Sequence, residues 1–166
     1  MEQADFGACI KAFQESVRLS QEAGFVIAQV VGRAVPAIIY ANLGDTSTAL
    51  RLAQEALAIA VERLPAYRPA ALMAVAQAQL RANRLSECEA TLKDASESLI
   101  EADVITASIL AGISCECALA RGDAVRAFEA ATRMKNSVDR MGLIWQLPDA
   151  QYFLSTTKKV MQDEHR

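Results

Sequence analysis

The sequence predicts an all-α fold, a superhelix of about eight helices stacked as antiparallel pairs. Three observations carry the prediction. Alanine, the best helix former, supplies 32 of the 166 residues, while Gly and Pro, the poorest, together supply 11. Helix-stop signals recur at a fixed interval: Gly44, Asn83 and Gly122 stand 39 residues apart. Gly and Asn are the residues that accept the left-handed conformation ending a helix. Small residues then hold one register around all three turns. Ala37, Ala76 and Cys115 lie seven before them, and Ala49, Cys88 and Ala127 lie five after them. Two antiparallel helices joined by a short turn approach to about 8–10 Å, and a large side chain does not fit at the closest point. A chain of this length reads as a single repeat domain, residues 1–166.

Helices are expected near 4–23, 25–43, 46–63, 68–82, 85–100, 103–121, 124–141 and 144–162, with connections of two to five residues. The first carries Cys9 and Phe13, which lie 40 residues before Ala49 and Ala53, and so reads as the second helix of a pair. The second, Phe25 to Leu43, is apolar nearly all round, as expected of a helix packed on both sides. Arg33 at its middle argues against a membrane span. Pro36 inside it, four residues after Gly32, predicts a kink. The third shows a broad face of Ala49, Leu52, Ala53, Ala56 and Ala60 at helical spacing. Pro69 and Pro148 fall at equivalent repeat positions near helix starts, where a missing N–H costs little. Between Glu87 and Asp103 six carboxylates stand against Lys93 without the Gly and Asn of a calcium loop, and read as a solvated helix face. In the last helix Ser155 falls at the small position, and Leu147, Phe153, Leu154 and Val160 form a strip suited to a neighbour. Neither terminal helix reads as a polar cap. The chain is therefore expected to be a piece of a longer protein and to associate with itself through its end helices.

The arrangement resembles the tetratricopeptide repeat. That motif has a small residue followed by an aromatic in its first helix and Ala followed four later by Phe in its second. Ala37 with Tyr40 matches the first half, Cys9 with Phe13 the second, and Gly44-Asp45 and Gly122-Asp123 the turn. The period is 39–40 rather than 34, and most aromatic positions hold Ala, Leu or Gln79. Longer Ala- and Leu-rich repeats of this kind look like the helical regions of larger bacterial signalling proteins, such as ATPase-coupled transcription activators and ATPase-linked class III nucleotide cyclases.

The residue inventory narrows the chemistry. Lys and Arg number 17 against 20 Asp and Glu, so no electrostatic footprint for nucleic acid exists. The one histidine, His165, stands at the chain's end, which leaves no His-based catalysis or metal site within the fold, and Ser47 and Ser114 have no base to activate them. Cys115 and Cys117, two apart on a helix, point about 200° apart and cannot chelate one ion together. Cys9, Cys88 and Cys115 occupy positions that other repeats fill with small residues, which is how a free Cys behaves. No cofactor is expected. With no signal peptide evident, a cytoplasmic setting is expected. Trp145 with Tyr152 and Phe153 is expected to pack the last helix onto the preceding pair.

What remains is a non-enzymatic interaction module of a signalling or regulatory protein, taking a protein, a peptide or a partner helix in a concave groove. The alternative is a ligand- or peptide-sensing domain that controls a linked effector. The resemblance to tetratricopeptide repeats implies groove positions at Asn42, at Met73, Gln77 and Arg81, at Glu116, and at Tyr152, Thr156 and Lys159.

Overall fold

The computed structural model describes residues 6–100 and 103–164. Among them are eight α-helices and no strand. The helices are α1 (Phe6–Glu22), α2 (Val26–Asn42), α3 (Thr46–Arg63), α4 (Arg68–Arg81), α5 (Leu85–Glu97), α6 (Val104–Ala120), α7 (Ala124–Met141) and α8 (Leu147–Glu164). Two boundaries differ from expectation by three residues. Residues 144–146 form a 3₁₀ turn ahead of α8, as Pro65–Tyr67 does ahead of α4, so Pro69 and Pro148 each sit in the first turn of an α-helix. The helix expected to reach residue 100 ends at Glu97, where the Ser98 hydroxyl donates back to the carbonyls of Asp94 and Ala95.

The repeating turns are built alike. Gly44, Asn83 and Gly122 all have positive φ (90°, 57° and 76°). At each, the residue's own N–H returns to the carbonyl three back and the next N–H to the carbonyl five back: Asp45 to Tyr40, Arg84 to Gln79, Asp123 to Ala118. This pairing satisfies the carbonyls a helix end leaves open. Asp45 and Asp123 then cap the following helices through the backbone N–H groups of Thr48 and Arg126. Hydrogen bonds from Thr48 and Ser47 hold the Asp45 carboxyl below its ordinary range. The cap therefore contributes fully at neutral pH and is lost as the pH falls through that lowered value.

The chain divides into two compact units, one ending at Arg84 and one beginning at Leu85. In the first, α2 packs on α1 and α3, α3 packs on α4, and α2 also meets α4. In the second, α6 packs on α5 and α7, α7 packs on α8, and α6 also meets α8. Each unit thus holds one complete hairpin with a further helix on either side. The core of the first is dominated by alanine (Ala37, Ala53, Ala56, Ala60, Ala71, Ala74), ringed by Ile38, Leu52, Leu57 and Ile59. The small positions of the register are all fully buried: Ala37, Ala76, Cys115, Ala49, Cys88 and Ala127. On α8 the register departs, because Ser155 is exposed. No described helix follows α8 to close on it.

α2 runs through Pro36 as one helix, Val26–Asn42. Gly32, four residues earlier, marks the closest approach of α1: a Cβ there would lie 2.5 Å from Val17 Cγ2. Gly32→Ala is expected to destabilise the protein. The overpacking penalty of about 1–3 kcal/mol exceeds the gain of up to about 1 kcal/mol in helix propensity. A higher denaturation midpoint for the variant would show that α1 yields freely at this contact.

The expected packing role of Trp145 and Tyr152 is not what the structure shows. Both are 63% exposed, and only Phe153 of the three packs, against the clusters formed by α6 and α7. Gly112 lies beside it, and a Cβ there would be in ordinary contact with the Phe153 ring at 3.5 Å and closer to Met134 Sδ at 3.3 Å. Leu147 and Leu154 pack alongside, so three of the four residues read as a strip for a neighbour, Leu147, Phe153 and Leu154, lie against α6 and α7.

Candidate functional site

The first unit brings three of the expected groove residues together. Asn42 ends α2, and Gln77 and Arg81 lie one turn apart on α4. Arg81 Nε donates to Asn42 Oδ1 at 3.1 Å. The Gln77 carboxamide meets both, 3.1 Å from Asn42 Oδ1 and 3.1 Å from Arg81 Nη2. Gln77 is 6% exposed, Asn42 and Arg81 are exposed, and Met73, one turn earlier, is half-buried. In the second unit Glu116 on α6 and Thr156 on α8 are half-buried, while Tyr152 and Lys159 on α8 are exposed. Tyr152, Thr156 and Lys159, spaced four and three apart, share one face of α8.

A second feature was not singled out from the sequence. In the second unit a cavity of about 200 Å³ opens between α5 and α7, floored by α6. Its walls carry Lys93, Arg126 and Arg133 against a single carboxylate, Glu89, with Ser96 and Ser114 inside. Glu89 is drawn to Arg121 (3.1 Å) and Arg126 (3.3 Å). The Ser96 hydroxyl is committed to the Leu92 carbonyl at 2.8 Å. The acidic run of α5 is therefore not uniformly a solvated face: Glu87, Lys93 and Glu97 are exposed, but Glu89 and Asp94 are half-buried.

Cys88, Cys115 and Cys117 are buried, and Cys9 is half-buried. All four cysteines are free. Burial pushes Cys115 up to about 11 and raises Cys88 and Cys117 as well, so these three are thiols at neutral pH. The pair in side-chain contact is Cys88 with Cys117, and the Cys117 thiol also donates to the Leu85 carbonyl at 3.7 Å. Among the described residues no group of three or more His, Cys, Asp and Glu is placed to hold a metal, and His165 lies outside them. No described helix is long and apolar enough to cross a membrane.

A buried polar pair in the second unit was also missed. The Ser108 hydroxyl donates to Gln146 Oε1, and Gln146 is 2% exposed with no partner for its Nε2. The hydrophobic pattern gives no sign of this pair, since Gln146 lies in the 3₁₀ turn rather than on a periodic helix face. The cavity, by contrast, was within reach of the register, because its lining recurs at the repeat interval.

Compared with protein-family models, curated proteins and solved structures, the chain matches none of them.

Proposed function

We propose that this chain is a non-enzymatic interaction module, a tetratricopeptide-like segment of a regulatory or signalling protein that binds a peptide or partner helix along the first helices of its repeats. The observation that carries this reading is the convergence of Asn42, Gln77 and Arg81 where α2 and α4 meet. Adjacent helices from successive repeats present carboxamide and guanidinium groups together. Such groups hold the backbone and carboxylates of an extended or helical peptide. A peptide-display selection on the full chain tests it. The best binder is expected to lose about tenfold or more in affinity on Arg81→Glu and to be weakened by Gln77→Ala, as for a central contact. Failure to select any peptide, or equal binding to both variants, would overturn the reading.

A further inference from the structure

The cavity of the second unit has a counterpart in the first. There a gap of about 220 Å³ lies between α1 and α3, floored by α2. The two are the same place in the repeat. Residues 78 apart along α2–α3 and α6–α7, and 79 apart along α1 and α5, line both. The gap itself is thus a product of how these helices pack. Its lining is not.

In the first unit the lining is largely apolar, with Val17, Pro36, Tyr40 and Leu52. Its acidic group, Glu55, is matched by ion pairs to Arg33 (3.2 Å) and Arg51 (2.7 Å). In the second unit Ser96, Ser114, Ala118 and Ala130 stand at those four apolar positions. Glu55 is replaced by Arg133, Arg51 by the exposed Glu129, and Arg33 by Ala111, which offers no charge. Packing gives no reason to exchange Tyr and Leu for Ala at a space flanked by cations, since burying large side chains there would stabilise the fold.

Two groups in the cavity are unused. Arg133 makes no ion pair or hydrogen bond among the described residues, and neither does the Ser114 hydroxyl. Lys93 and Arg126 flank them. Lys93 is paired with Glu97 at 3.9 Å, and Arg126 with Glu89 at 3.3 Å and Asp123 at 3.8 Å. Three cations against one carboxylate leave the lining with two positive charges in excess. A guanidinium presents paired donors matched to an oxyanion, and a phosphate monoester carries close to two negative charges at neutral pH.

We propose that the α5–α6–α7 cavity is a binding site for a dianionic phosphate group, free or on a small molecule, held by Arg133 with Lys93, Arg126 and the Ser114 hydroxyl. The site is separate from the peptide-binding reading and stands or falls without it. Occupancy would link α5 to α7 through one ligand.

The test is an amide NMR titration of the full chain with sodium phosphate, ionic strength held constant with sodium chloride, repeated with glycerol phosphate. Saturable shifts at Ser96, Ser114 and Arg133 are expected, with none at Val17, Tyr40 and Leu52 in the counterpart gap. Arg133→Glu, which installs the counterpart's residue at an exposed position, is expected to weaken binding by about tenfold or more, the size of one lost charge-assisted pair. Arg133→Gln gives the same reading should the charge reversal disturb folding. Tighter binding of glycerol phosphate assigns the site to an organic phosphate, and equal binding assigns it to the phosphate group alone. Shifts that do not saturate, that appear equally in the counterpart gap, or that survive both Arg133 variants would overturn the proposal.

Discussion

Leucine in place of Cys88 is expected to lower the unfolding free energy by about 1–3 kcal/mol, whereas alanine there is expected to change it little. Cys88 is fully buried on α5, at the position that Ala49 occupies on α3 and Ala127 on α7, and both of those are fully buried too. Alanine is thus the side chain this fold already uses there. Removing the sulfur also frees Cys117, which keeps its hydrogen bond to the Leu85 carbonyl. Leucine has two more side-chain heavy atoms than cysteine at a fully buried position, so α5 must move away from α6 or the leucine must adopt a poor rotamer. Denaturant midpoints of the two variants check this. A leucine variant as stable as the wild type would mean that Cys88 is not at a close helix contact.

The second large effect is expected at Ser108 and Gln146. Ser108→Ala removes the one partner of a carboxamide that is almost wholly out of water, leaving both its polar atoms unpaired at a cost of about 1–3 kcal/mol. Gln146→Met removes the polar group altogether. It leaves a serine hydroxyl that can turn to a carbonyl of its own helix. The double variant Ser108→Ala with Gln146→Met is expected to be markedly more stable than the sum of the two single changes predicts, with a coupling of about 0.5–3 kcal/mol. Additive effects in the double-mutant cycle would show that the two side chains are not an interacting unit in solution.

Local chemistry explains why so much of the secondary structure was legible. A helix end needs a residue that tolerates positive φ, and Gly44, Asn83 and Gly122 all adopt it. Gly24 and Gly142 do the same at the ends of α1 and α7, and the same reasoning would have found them. The small-residue register was legible for a related reason. Close helix approach is a steric demand made at a fixed distance from each turn, so it repeats with the turn. Ser155 shows the limit, because a small residue at the same register step is exposed on α8.

Side-chain fate at the last helix was not legible in this way. Trp145, Tyr152 and Phe153 are alike in hydrophobicity, yet only Phe153 packs. Which of three neighbouring aromatics meets α6 and α7 depends on the rotation of α8. Trp145 stands in the 3₁₀ turn over 144–146, ahead of α8, and a periodicity argument does not register that turn.

By itself the sequence determined that this protein is all-helical, where its helices turn, and which positions must be small. Each of these is decided within a few residues of chain, by propensity, capping and steric size. Only the tertiary structure decided which polar groups meet. Asn42 meets Arg81 across 39 residues of chain and Ser108 meets Gln146 across 38, and the cations around Ser114 come from the two helices on either side of its own. Such meetings depend on the relative rotation and spacing of packed helices. That is a property of the whole interface, and the periodicity of a single helix does not contain it.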